Sequence, residues 1–458
     1  MWVPDISHIE GPRYLALARA INEAIDLGAL PPGAQLPPQR DLAKELNVTV
    51  GTVGRAYKII RERRLVSSEV GRGTFVRGAD EEGYSSFLPY LKPGTIDLAL
   101  FGSNPVGLSE ALSSALVEVS NGVSLMPMNR YPIAKGYPTH CTAGATWISI
   151  SGYEPPPNRV LVLNGVQQGI MAVILALGNG PEEEILCEKV TYSGLKALSV
   201  VLDRRLHGIE MDEFGIIPAA VEDAVEKTGS RLLYVQPTVQ NPTGAAMPIE
   251  RRREIADIAK RHDLTIIEDD ASVGGMRDRP APIASLAPDN VVYLTGFAKC
   301  ISPALRAGFL AAPARYHDRI SSTIHAMALA NSPIIGDIAA TLINRGTAET
   351  LASQHYEALG RAHEAAREIL ADIPHSSHPA GNFIWVPLPE HWTSLEFVDA
   401  ALKVGVSIIP SNNHTASGLP PRAFRIAINP AQKPDVFAEG IAKLKALMNE
   451  RARPLLAV

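Results

Sequence analysis

Cysteine is scarce. Cys141, Cys187 and Cys300 are the three in 458 residues, widely separated and without metal-ligand spacing, which argues against a disulfide scaffold and against a metal site. Long apolar runs are missing as well. The most apolar stretch, around residues 159–178, is broken by Asn164, Gln167 and Gln168, short of the ~20 apolar residues that span a bilayer, so no membrane association is expected. The opening Met1-Trp2-Val3-Pro4-Asp5 has no basic region followed by an apolar one, so no secretory leader and a cytoplasmic location are expected. Low-complexity segments and repeats of solenoid period are also missing. What is present, 46% hydrophobic and 20% charged residues, matches a globular protein and excludes a disordered chain, a coiled coil or a collagen-like fibre. The length predicts two or three domains.

The net charge of −5 is unevenly spread. Residues 1–78 hold eleven Lys and Arg against eight acids, a net +3, which leaves −8 for the remainder. A basic head on an acidic body suggests two tasks in one chain. In the head, Leu15, Ala18, Ile21, Ala24 and Ile25 recur at helical spacing between Gly11 and Leu27. A second helix is expected from about Pro38, with Leu42, Ala43 and Leu46 inward. After a short turn at Asn47-Val48-Thr49, a third has Val50, Val53, Tyr57 and Ile60 as its buried stripe and Thr49, Thr52, Arg55, Lys58 and Arg61 largely outside it. Two short strands, Leu65–Ser68 and Thr74–Arg77, flank Gly71-Arg72-Gly73. That order is a winged helix-turn-helix, whose second helix fits a DNA major groove while Arg reads base edges or phosphates.

Residues 79–93 read as a linker, polar and carrying Asp80-Glu81-Glu82. Beyond it, β-rich runs at Val160–Leu163, Glu184–Cys187, Leu232–Val235, Thr265–Glu268 and Val291–Thr295 alternate with helical ones, which predicts an α/β layer with a mostly parallel sheet. Five motifs follow one another at the ends of such runs. Asn164-Gly165-Val166-Gln167-Gln168 opens an apolar helix whose first N–H groups could receive a phosphate. Tyr192-Ser193-Gly194 puts an aromatic ring in a loop, and the turn-rich Gln236–Gly244 offers the Asn241 amide. Glu268-Asp269-Asp270 ends a strand in three acids, whose burial needs cationic partners. Lys299 follows another strand, with Arg306 seven residues later.

The head resembles the winged helix of GntR-type bacterial regulators in Leu36–Ala43, Thr49–Tyr57 and Gly71–Val76. That resemblance implies double-stranded operator DNA as partner, with Arg40, Thr49, Thr52, Arg55 and Arg72 as contacts. The body resembles fold-type I aminotransferases, which use pyridoxal 5'-phosphate (PLP). The resemblance implies Lys299 as the catalytic, Schiff-base lysine, Asp269 on the pyridine nitrogen, Asn241 on the phenolic oxygen and Tyr192 stacked on the ring. Gly165, Val166, Gln167 and Arg306 would take the phosphate. Arg425, in Phe424-Arg425-Ile426-Ala427, would bind an effector carboxylate, and Tyr131 would reach a neighbouring subunit's cofactor. The combination is that of the MocR regulators. It implies a GntR-like domain over 1–78 and an aminotransferase-like domain over 94–458, with a large part at about 125–325 and a small part at about 326–458 together with 94–124. A homodimer is expected, sensing an amino-acid-like or vitamin B6 effector. The alternative is an active PLP-dependent aminotransferase with a helix-turn-helix appendage.

The sequence departs from the aminotransferase pattern in two places. Ala271 and Ser272 stand where a Tyr usually follows the pyridine-binding Asp, and Gly296 and Ala298 stand where phosphate-binding hydroxyls precede the lysine. Both departures favour sensing over efficient turnover.

Overall fold

The computed structural model describes residues 2–6, 11–26, 29–31, 33–62, 65–69, 73–76, 94–103, 105–122, 131–180 and 182–450. The expected linker and Arg72 lie outside these. Chain contacts separate two units, one within Met1–Tyr90 and one spanning Leu91–Arg451.

In the first unit, the helices Arg13–Asp26, Gln39–Glu45 and Val50–Glu62 bury Leu17, Ile21, Leu42, Val53 and Ile60 in one core. Asn47, in the left-handed region at φ 48°, makes the turn that two packed helices require. Thr49 then accepts the Thr52 N–H at 3.1 Å on its Oγ1, satisfying a donor that the first turn of the third helix leaves open. The Tyr57 hydroxyl donates to the Pro37 carbonyl at 2.7 Å and locks the third helix to the start of the second. Val66–Glu69 and Gly73–Val76 pair antiparallel, as the wing requires. One expected core residue is not in the core: Val50 is 47% exposed. Val53, Ala56, Tyr57 and Ile60 already supply the i, i+3, i+4, i+7 stripe, and Val50 sits a turn earlier, on the helix's free first turn.

The second unit is built on a seven-stranded sheet. Its spatial order is Val160–Asn164, Ala307–Ala311, Val291–Gly296, Thr265–Asp269, Leu232–Val235, Ile185–Glu188, Leu206–Ile209. Every strand but Ala307–Ala311 runs the same way. Apolar side chains fill both faces, as a mostly parallel sheet covered by helices demands. On one face the helix Val166–Leu177 packs with Ala314–Ala328. On the other, Pro138–Ser149, Leu108–Gly122 and Pro333–Asn344 share a core. A smaller antiparallel sheet comprises Ser376–Ser377, Phe383–Pro387, Ala423–Ala427 and Ile409–Pro410. Ile96–Asp97 returns to pair with Val406–Ser407.

This topology dictates where chemistry can sit. The parallel strands end together, so Asn164, Glu188, Gln236, Asp269 and the segment after Gly296 converge at one edge, where ligands bind in α/β sheets.

Candidate functional site

At that edge is a pocket of about 530 Å³, open at its mouth. Val166, Gln167, Tyr192, Asn241, Asp269, Lys299 and Arg306 all line it, together with Gln236 and Ser272. Gly165 borders it as the residue preceding the helix Val166–Leu177, in the left-handed region at φ 81°. A side chain there would run into the Arg306 guanidinium, so this glycine keeps cation and helix N-terminus together. Arg306 itself adopts φ 50° after the turn Pro303–Leu305, which Ser302 Oγ caps by accepting the Ala304 N–H at 3.3 Å. A phosphate would meet this cation and the helix's open N–H groups.

Asp269 is buried at the end of its strand. Its Oδ2 accepts the Tyr234 hydroxyl at 2.6 Å and the Gln236 amide at 3.1 Å, and its Oδ1 accepts the Ala271 N–H at 2.9 Å. Burial nevertheless pushes its carboxyl above the ordinary range. The neighbouring acids are compensated separately. Asp270 pairs with Arg279 at 2.7 Å and accepts the Tyr293 hydroxyl at 2.7 Å. Glu268 accepts the N–H groups of Ile283 and Ala284 at 2.9 and 2.8 Å. Asp269 is thus the one acid of the three that lines the pocket.

Burial lowers the Lys299 amine to about 7, helped by Arg425 and Arg306 and opposed by Asp269. Burial likewise raises the Tyr192 phenol to about 12. Its ring lies over Gly194, where a Cβ would collide with it, and Gln167 ties the same turn down through a 2.8 Å bond to the Gly194 carbonyl. Arg425, from the small sheet, is 6% exposed and reaches this site from far along the chain. It donates to Asn241 Oδ1 at 3.2 Å and to the Ala99 carbonyl at 2.9 Å. Its Nε and the Gln167 Oε1 are buried without a partner. Asn241 and the Ala99 carbonyl are both neutral partners, and burial lowers the Arg425 guanidinium to about 10.

These residues fit PLP on the observed geometry: a buried amine of low basicity, a buried carboxylate, an amide, an aromatic ring and a cation beside a helix N-terminus share one wall. The departures are on that wall too. Gly296 and Ala298 line the pocket without hydroxyls, and Ser272 is buried there. Tyr131 is 83% exposed and outside the lining. Sequence reasoning missed Tyr234 and Gln236 as partners of Asp269, although Gln236 opens the motif that carries Asn241. It also missed Phe101, whose ring centroid lies 3.2 Å from Lys299 Nζ.

In the first unit, Arg40, Thr49 and Arg55 are exposed and Thr52 is half-buried. The Arg55 guanidinium lies 5.9 Å from the Tyr14 ring centroid. Thr49 immediately precedes the third helix, Thr52 and Arg55 are in its first turns, and Arg40 is the second residue of the second helix.

Residues 103–444 match the family model for class I and II aminotransferases, and residues 13–76 match the bacterial regulatory proteins of the gntR family. The chain is 29% identical over 452 residues to the uncharacterised HTH-type transcriptional regulator YdeF of Bacillus subtilis, covering 98% of this chain and 97% of that one. It is 26% identical over 318 residues to the HTH-type pyridoxine biosynthesis transcriptional regulator PdxR of Corynebacterium glutamicum, 65% of each chain. Among solved structures, LysN, the alpha-aminoadipate aminotransferase of Thermus thermophilus, is similar in fold, with a TM-score of 0.69 at 23% identity over 78% of this chain and 92% of that one. Among the described residues no helix is long and apolar enough to cross a membrane. The chain belongs to the class I and II aminotransferase family and carries ahead of that domain a GntR-type helix-turn-helix, the make-up of a regulator fused to an aminotransferase-like body.

Proposed function

We propose that this protein is a cytoplasmic transcriptional regulator that binds double-stranded operator DNA as a homodimer. Its body holds PLP and senses an amino-acid-like effector. The observation that carries the reading is Arg425, a buried guanidinium whose described partners are neutral and which adjoins a pocket that suits PLP. A cation without a buried counter-charge needs an anion, and the carboxylate of an amino acid would supply it. A vitamin B6 effector is the second reading, favoured by the likeness to a regulator named for pyridoxine biosynthesis.

Lys299 would bond the cofactor aldehyde, Asp269 would keep its pyridine nitrogen protonated, Asn241 would hold its phenolic oxygen and Tyr192 would stack on its ring. Gly165, Val166, Gln167 and Arg306 would hold the phosphate. When bound, PLP supplies an electron sink. The chain's own contribution is to lower the basicity of Lys299 Nζ by burial to about 7, which favours the neutral, nucleophilic amine far more than an ordinary lysine does. Tyr131, exposed here, would face the partner's site. In the head, Arg40, Thr49, Thr52, Arg55 and Arg72 would contact DNA. The bare wall at Gly296 and Ala298, and Ser272 in place of a phenol, support sensing over turnover.

Visible absorbance of the protein mixed with PLP tests the cofactor assignment. We expect uptake in the wild type to accelerate as pH rises through about 7, and Lys299→Ala to show no such absorbance. Turnover of amino acids with an oxo acid at rates typical of enzymes, about 1–1000 per second, would instead support the aminotransferase alternative.

A further inference from the structure

A short segment lies between two cations of the site, Lys299 and Arg425. Arg425 donates to the Ala99 carbonyl at 2.9 Å, and its guanidinium stacks 4.7 Å from the Phe383 ring centroid. Two residues past Ala99, the half-buried Phe101 ring meets Phe383 edge-on, with centroids 5.9 Å apart and planes at 89°. The other side of the bridge is Lys299, whose Nζ lies 3.2 Å from the Phe101 centroid. Residues 99–101 are outside the pocket lining but touch both of these cations, with the Phe101 ring at the Lys299 end and the Ala99 carbonyl at the Arg425 end.

We propose that Phe101 is the specificity-determining residue of the effector pocket, and that the effector is an α-amino acid with an uncharged, apolar side chain. This rests on the reading of the body as an amino-acid sensor. The charges around the pocket agree with it. Lys299 and Arg306 line the pocket, and Arg425 adjoins it through Asn241. Of these three, Lys299 serves the cofactor aldehyde and Arg306 the phosphate turn, which leaves Arg425, and one α-carboxylate uses it. A second carboxylate on the effector side chain would press on the Phe101 ring, where the neighbouring cation, Lys299, is committed to the cofactor, and an unpaired buried charge is strongly disfavoured. An apolar side chain gains contact with the same ring.

Calorimetric titration of the PLP-loaded full-length protein with L-phenylalanine, L-leucine and L-glutamate tests this, with absorbance reporting cofactor content in every variant. In the wild type, L-phenylalanine and L-leucine bind and L-glutamate binds about a hundredfold more weakly. Phe101→Ala weakens L-phenylalanine about tenfold. Phe101→Leu, which keeps the site apolar should the alanine variant fail to fold, weakens L-phenylalanine more than L-leucine. Equal or tighter binding of L-glutamate by the wild type overturns the inference, as does a Phe101→Leu variant with the wild-type ranking and affinities. Failure of all three amino acids to bind the wild type overturns the sensor reading and this inference with it, an outcome distinct from binding with the wrong preference.

Discussion

Glu188 is a buried acid that the proposed chemistry does not use, and it sits one hydrogen bond from a residue that the site needs. It accepts the Gln236 N–H at 2.8 Å and the Thr191 hydroxyl at 3.0 Å, while the Gln236 amide holds Asp269. Burial, with Asp269 adding to it, pushes Glu188 up to about 7. A folded-state value above the ordinary one means the folded protein binds this proton more tightly than the unfolded chain does. Glu188 therefore costs stability progressively as pH rises from about 4.5 to about 7, and the cost is constant above. We expect Glu188→Gln to gain stability relative to wild type across that window, by about 1–3 kcal/mol at pH 8 compared with pH 4.5. Urea unfolding of both proteins at several pH values checks this, and a difference independent of pH would contradict it. At this scale the sequence was readable where a side chain follows a strand within a distinctive motif, as with Asp269, Lys299 and Asn241. Tyr234 was not, because Leu232-Leu233-Tyr234-Val235 reads as ordinary buried strand and nothing local marks its hydroxyl as reaching Asp269.

Among the elements, five strands of the large sheet are where their β-rich runs predict, each within a residue or two. Two further strands carried weak signals. Ala307–Ala311 is Ala-Gly-Phe-Leu-Ala, low in β-branched residues, and is specified by its place between two neighbours. Leu206–Ile209 is a short edge strand without alternation. The small sheet was legible only through Arg425, since its strands are short and its partners distant in sequence. In the head, helical periodicity and turn chemistry sufficed, apart from the free first turn at Val50. The third helix carries its own prediction. Arg55 is exposed and beside Tyr14, so Arg55→Ala should leave the thermal midpoint nearly unchanged. Operator affinity should fall by about 1–3 kcal/mol if Arg55 reads a base, or the salt dependence should lose about one unit if it meets a phosphate. Binding unaltered at every salt concentration would remove Arg55 from the interface.

At the scale of the whole molecule, a basic head and an acidic body divide the work in a way the net charge hides. The family shared with aminotransferases explains the body's fold, and the GntR-type head explains why such a body would be attached to DNA. A single winged helix buries too little surface for tight and selective binding, so two chains per operator are expected. The most direct test is fluorescence anisotropy of the full-length, PLP-loaded protein on a labelled DNA fragment from upstream of its own gene, titrated through saturation beside an unrelated fragment. Saturation is expected at two chains per site, with affinity for the upstream fragment at least about a thousandfold above that for unrelated DNA at physiological salt. Equal affinity for both fragments, or saturation by one chain, would contradict it.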